Sequence, residues 1–573
     1  GTLGDNMGKS YDRELSAKLK VLTGYAFGHE TAEALESRIA PELIGEDGQK
    51  TYAVFIAVCN TRIRAHVFHA SAPHLTEALS LVRTAAMNGV KRLDIEPKWV
   101  ELQIVCRSEE ADPQDAVNRM FSSYNEFFRQ GISLDAKFEY AYTEAEINGN
   151  RLLNYKEKVL DLRAFNSYSM KRDDDVILKT PHTLILFDCL SWFIDDRDRT
   201  YTLYLDGLNC GRRIIDDITG PDIKHVINTS VRYLCSQLHP DGSLDYGYYP
   251  IGNKLIPGYN IMRHTSTIWS LVCSAEIERN PDTFKAAQSA IRYMISQIEH
   301  YSDGCAYLVE KSANEIKLGG NGVAIITLTQ YMRMYDSDEY VHLCEELGRG
   351  ILRMMNSDGT YAHVLNADTR ELKEQFRTVY YDGEATFALC RLHSLTGSML
   401  WLEAARRAVD HFIEADYITH RDHWVAYAVN ELTLYIKEEK YYEFALKNLV
   451  ENLEPIYRQE TTYHTYLEFL MAGYETYKRI VDEHADVAYL ENVDPVRLAE
   501  TIIHRAHHML NGYGYPEYVM YLSKPSYFKG SFFVRHDGFR IRIDDVQHFC
   551  GAYIALYRRF DEVKALLASA NNP

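Results

Sequence analysis

From about residue 220 to the end, the chain alternates two kinds of helical pattern, and this alternation leaves few folds open. Amphipathic stretches at about 222–238, 281–300, 338–355, 399–414, 438–452 and 496–510 carry apolar residues at helical spacing on one side only. Between them lie stretches that are apolar almost all round, beginning near Asn260, Asn321, Asp382, Asp422, His464 and Asp544. A helix with one polar face belongs at a surface, and a helix with none belongs inside. Six of each in alternation fit two concentric rings. The connections repeat too: "HPDGSLDYG" at Asp241, "YSDGCAYLV" at Asp303 and "NSDGTYAHV" at Asp358 each place Asp-Gly after an amphipathic helix. The expected fold is therefore mainly α, an (α/α)6 toroid over residues 219–573.

In such a ring every inner helix points the same way, so six N-termini meet at one mouth. Those starts are polar: "YNIMRH" (Tyr259, Asn260, Arg263, His264), "GGNGVA" (Asn321), "YYDGEA" (Tyr381, Asp382, Glu384), "HRDHW" (Asp422, His423, Trp424), "TYHTY" (His464) and "RIDDVQHF" (Arg542, Asp544, Asp545, His548). Asn and Asp are good N-caps, and carboxylates suit the positive end of a helix dipole, which accounts for Asn260, Asn321, Asp382, Asp422 and Asp544. Capping does not account for Arg263, a cation at the unfavourable end of the dipole, nor for the accumulation of His and Tyr. Ionisable groups converging in a cleft mark a site. Glu384 lies past the cap position and is the strongest single carboxylate. Asp382, two residues away, diverges from it, so a catalytic pair would join one of them to Asp422, Asp544 or Asp545 across the ring. Two carboxyls about 5–9.5 Å apart can split a glycosidic bond. The expected catalytic groups are Glu384, Asp382, Asp422, Asp544, His264 and His423. The expected substrate contacts are Tyr259, Asn260, Arg263, Asn321, Tyr381, Trp424, His464, Arg535, His536, Arg542, Asp545 and His548, with Arg535 and His536 drawn from the loop "GSFFVRHDGFRIRIDD" before the last inner helix.

Residues 1–150 mix periods. "TYAVFIAV" and "RIRAHVFHA" read as paired strands, "HLTEALSLVRTAAMNG" as a helix, "KWVELQIVC" as a strand, "DAVNRMFSSYNEFFRQ" as a helix and "AKFEYAY" as a strand, a small α+β domain. Residues 151–218 read as a β-containing connection through "TLILFDCLSWF" and "TYTLYLDGL". No phosphate loop or nucleophile elbow is present there, so the N-terminal domain is expected to pack or to contact a protein partner.

A net charge of -19 argues against nucleic acid or an anionic membrane as the main partner. No apolar run approaches the roughly 20 residues of a membrane span. Ten Cys without a C-x-x-C pair fit free thiols in a reducing compartment, so the protein is expected to be cytoplasmic. "GTLGDNM" reads as a tag remnant before Met7, leaving an upstream signal open. No cofactor is expected and no metal: "HRAHHM" (His504, His507, His508) lacks a carboxylate and lies on an outer helix.

The stretches "RHTSTIWSL", "GGNGVAIITL" and "YYDGEATFALCRLHSLTGSMLWLEAARRAVDHF" resemble the six-hairpin sugar-acting proteins: (α/α)6 glycoside hydrolases, the N-acylglucosamine 2-epimerase superfamily and the toroid polysaccharide lyases. The likeness spans about residues 220–560. It implies a carbohydrate substrate, with hydrolysis by the carboxylates above, epimerisation by paired pore histidines matching His264 and His423, or elimination by the Asn, His, Tyr and Arg of "YNIMRH". "HFCGAY" is similar to the zinc Cys-His of the lanthionine cyclases, but the remaining cysteine motifs of that family are missing. The leading expectation is a hydrolase of a bacterial envelope or capsule glycan. The alternatives are an epimerase, isomerase or lyase, and a non-catalytic toroid that binds a glycan or peptide.

Overall fold

The computed structural model describes residues 10–39, 48–121, 127–154, 157–375 and 378–571; the opening "GTLGDNM" lies outside them. In the N-terminal part, strand Tyr52–Cys59 pairs antiparallel with His66–Ala72 on one side and Trp99–Ala111 on the other. Leu184–Ile194 lies next to Trp99–Ala111 and then pairs with Gly131–Ser133, so the sheet draws on both sides of residue 150. Side chains alternate across a strand, and both faces here are apolar. Val54, Ile56 and Val58 face Leu15, Leu19, Val82 and Ala86 of helices Tyr11–Phe27 and Leu75–Arg92. Phe55, Phe187 and Phe193 belong to the same apolar core as the helical ring. The toroid itself thus covers one face of the sheet.

Three local expectations are corrected. In "AKFEYAY" only Ala141–Tyr142 is strand, because the Asp135 carboxylate accepts the Glu139 and Tyr140 N–H groups at 3.1 and 2.8 Å and folds the segment into a turn. In "DAVNRMFSSYNEFFRQ" the helix is Pro113–Phe121; residues 122–126 lie outside the described residues, and Phe127–Arg129 are not helical. In "TYTLYLDGL" only Thr200–Thr202 is strand.

The outer ring consists of Gly220–Ser236, Pro281–Ser296, Val341–Arg353, Met399–Glu414, Glu439–Arg458 and Pro495–Met509. The inner ring consists of Ile261–Cys273, Leu318–Met334, Thr378–Thr396, His423–Leu432, Tyr466–Asp482 and Ile543–Ala568, called inner helices one to six below. Each inner helix packs on the next, and the sixth packs on the first, closing an (α/α)6 toroid. The Asp-Gly turns are part of this packing. Gly242 (φ +91°) and Gly359 (φ +89°) adopt a conformation that L side chains avoid, and a Cβ there would fall 2.2 Å from the Ser289 carbonyl oxygen and 2.3 Å from that of Arg407. Only glycine lets these turns sit against the following outer helix. The ten cysteines are free thiols.

Candidate active site at the inner-helix N-termini

All six inner helices present their N-terminal ends to one cavity of about 1100 Å³, counted with its open mouth. Helix one contributes Asn260, Met262, Arg263 and Ser266; Glu315 and Lys317 precede helix two; Tyr380, Tyr381 and Glu384 come from helix three. His423 and Trp424, His464 and Thr465, and Arg542, Asp544 and His548 complete the wall. Aromatic rings close the waist of the barrel: Trp424 lies 5.3 Å from Trp269 between ring centroids, and Phe387 stacks on Tyr427 at 5.4 Å. Beyond them a second cavity opens at the C-terminal ends.

Helix three begins irregularly. Val379 is extended and Tyr380 has φ +81°, with the Tyr380 N–H donating to Asp422 Oδ2 at 2.7 Å. This break starts regular helix after Tyr380 and turns Glu384, in the second turn, inward. The residue is 3% exposed, and its carboxyl makes no hydrogen bond or ion pair to a described residue. Burial pushes its pKa well above the usual carboxylate range; Asp422 and Asp544 add to the shift and His548 opposes it.

Across the cavity, helix six carries Asp544 and His548 one turn apart. His548 Nε2 lies 3.4 Å from Asp544 Oδ1, and its Nδ1 lies 2.7 Å from Glu468 Oε1 on helix five. Burial alone would lower this histidine, but the flanking carboxylates raise it to about 10. Asp544 is driven the other way: against burial, His548 and Arg263 hold its carboxyl well below the usual range. Arg263 Nε stands 3.8 Å from Asp544 Oδ2, and its Nη1 donates to the Tyr246 hydroxyl. The cation at the unfavourable helix end is thus matched by a carboxylate from the neighbouring helix. Burial pushes His423 well below 6.5, and His464 to about 4, the charge of His548 adding to each.

The other expected residues face elsewhere. His264 is wedged between inner helix one and the outer helix Pro281–Ser296: its Nε2 donates to the Ala290 carbonyl at 2.9 Å and its Nδ1 accepts the Tyr259 hydroxyl, which in turn accepts the Leu244 N–H at 3.0 Å. One residue along a helix is a rotation of about 100°, so Arg263 and His264 cannot share a face. Asn321 ties strands to the outer ring, accepting from Leu308 N–H and donating to the Ala306 and Leu347 carbonyls. Asp382 is held between His363 Nε2 at 2.8 Å and the Tyr417 hydroxyl at 2.6 Å, on the outer side of helix three. Asp422 is consumed by its cap to Trp424 N–H and by Tyr380 N–H. Asp545 is fully buried in a two-pronged pair with Arg542, both contacts 2.9 Å. Arg535 lies between the Phe127 and Tyr518 rings at a different cavity, against the N-terminal sheet, and His536 is outside the toroid mouth. Of the residues expected at the mouth, the structure brings together Asn260, Arg263, Tyr381, Glu384, His423, Trp424, His464, Arg542, Asp544 and His548. Glu468 and Tyr380 were not expected. Glu468 is a lone carboxylate inside the apolar run "YLEFLMAG", and that isolation was its one signal.

No protein-family model matches the sequence, and no curated protein matches it significantly. Solved structures of similar fold include D-mannose isomerase, 10% identical with a TM-score of 0.46, over 60% of this chain and 99% of that one. Cellobiose 2-epimerase from Bacillus thermoamylovorans B4167 is 10% identical, TM-score 0.46, over 60% and 100%. A family 76 glycoside hydrolase from a bovine Bacteroides thetaiotaomicron strain is 10% identical, TM-score 0.43, over 80% and 96%. At these identities the likeness is one of fold.

Proposed function

We propose that this chain is a carbohydrate-active enzyme that cleaves a glycosidic bond by acid–base chemistry in the cavity at the inner-helix N-termini. One observation carries the proposal: Glu384 is a buried carboxyl without a protein partner that faces an open, polar cavity. A carboxyl in that position costs stability unless something is gained from it, and burial raises its pKa and so favours the protonated form, the state required of a general acid. Asp544 supplies the opposing carboxyl from helix six. Trp424, Tyr380 and Tyr381 offer flat apolar faces, and Arg263, Asn260 and Arg542 offer hydrogen-bond donors, the mixture a sugar ring needs.

A second reading rests on His423, whose two ring nitrogens are buried without partners beside the cavity. A neutral imidazole so placed could abstract a proton from carbon, giving epimerisation or isomerisation. The two readings separate in one experiment on the full chain with a panel of bacterial oligosaccharides in deuterated water. Cleavage predicts new reducing ends and no deuterium on carbon. Deuterium entering the product without new reducing ends would replace hydrolysis by the histidine chemistry.

A further inference from the structure

Three histidines and two carboxylates gather where helices four, five and six meet, more ionisable groups than the acid–base reading uses. His423, Glu468 and His548 each place one nitrogen or oxygen within 4.8 Å of the others. All three side chains are more than nine-tenths buried. Glu468 Oε1 already meets His548 Nδ1 at 2.7 Å, and its other oxygen accepts the Tyr427 hydroxyl at 2.7 Å. His423 completes the triangle with its ring centroid 5.1 Å from that of His548, the rings nearly perpendicular. Neither His423 nitrogen has a hydrogen-bond partner, although the residue is 1% exposed. A buried imidazole normally satisfies at least one nitrogen, so this one is short of a ligand.

We infer that His423, Glu468 and His548 form a binding site for one divalent transition-metal cation of the zinc type. Two imidazoles and a carboxylate suit such an ion, whereas calcium and magnesium take oxygen ligands. Zinc ligands stand about 2.0–2.2 Å from the ion and so roughly 3.4 Å from one another in a tetrahedron: the 2.7 Å contact between Glu468 and His548 must open, with His548 releasing its Nδ1 proton to solvent, while the unbonded His423 ring closes the triangle. The Tyr427 hydroxyl or a water would take the fourth position. The overlapping group His464, Asp544 and His548 is also within 4.8 Å, but His464 is a quarter exposed beside Asp545 and Asp544 is already matched to Arg263. The site does not rest on the proposed hydrolysis, and its test reads binding alone.

The full chain, stripped with chelator and then titrated with Zn²⁺ by calorimetry and with Co²⁺ by visible absorption, is expected to bind one equivalent. Co²⁺ should develop the ligand-field bands of a nitrogen-containing site, and the thermal midpoint should rise with added metal. His423→Ala and Glu468→Gln should each weaken binding by about 100-fold or more, beyond the roughly 10–100-fold lost when only the groups that orient a metal's ligands are removed. His464→Ala should leave the affinity within about twofold. Absence of heat and of the Co²⁺ spectrum in folded wild-type protein would overturn the site, whatever the variants do. So would binding that is lost in His464→Ala but retained in His423→Ala and Glu468→Gln.

Discussion

Arg263 on the first inner helix and Asp544 on the sixth lie 3.8 Å apart, an ion pair across the seam at which the ring closes. The pair does two things. It neutralises a cation at a helix N-terminus, and it fixes the rotation of both helices so that Asp544 faces the cavity. Replacing Arg263 by Lys keeps the charge but loses the planar fork that also reaches Tyr246. Since the pair is partly exposed, stability should change by no more than about 1 kcal/mol. Turnover should fall about tenfold or more, as expected for a mispositioned carboxylate. Thermal unfolding beside steady-state kinetics checks both halves, and unchanged kinetics would detach this pair from function.

Much of the ring was legible because helical periodicity is a property of many residues at once. The six inner starts read from sequence fall within four residues of those observed, since each apolar run is long and its cap chemically distinct. Side-chain direction was not legible in the same way. Arg263 and His264, or Asp382 and Glu384, differ by a rotation that depends on how each helix sits in the ring, and neighbours in sequence end on opposite faces. Glu468 was hidden for the converse reason: it lies within an apolar run that reads as core. In "AKFEYAY" the alternation favoured a strand, but the hydrogen bonds of Asp135 to backbone N–H groups prevailed.

His264 is a packing residue with a pH signature. Its pKa is lowered to about 4 by burial, against an unfolded value near 6.5. The unfolded chain therefore takes up the proton first, and stability falls as pH drops from about 6.5 toward 4, by on the order of 3 kcal/mol if this group acts alone. In His264→Gln that part of the acid slope should vanish, while activity at neutral pH persists. Urea midpoints between pH 4 and 7 test it; an unaltered slope would mean other groups dominate.

Asp382 should behave as a structural carboxylate. Asp382→Ala removes a buried acceptor from both His363 and Tyr417, which should cost about 3 kcal/mol. Activity per folded molecule should stay within a few-fold of wild type. Loss of activity in a variant that remains fully folded would return Asp382 to the catalytic set.

The Asp-Gly turns carry a comparable prediction. Gly359→Ala adds a Cβ about 2.3 Å from a backbone carbonyl at a residue with φ +89°, so both strain and overlap act against it. A loss of at least about 2 kcal/mol is expected, together with poor recovery of folded protein. Chemical denaturation measures it directly. A neutral outcome would show that the turn can leave the next outer helix without consequence.

Glu384 is the proposed proton donor of the hydrolytic site, and Glu384→Gln isolates that role. The change keeps shape and hydrogen bonding but removes the ionisable proton. Because the native carboxyl is buried and unpaired, the variant should be as stable as wild type or slightly more so. On the oligosaccharide that wild type cleaves, release of reducing ends should fall about 10²–10⁴-fold with binding nearly unchanged. Full activity of a folded Glu384→Gln protein would show that the proton comes from another group.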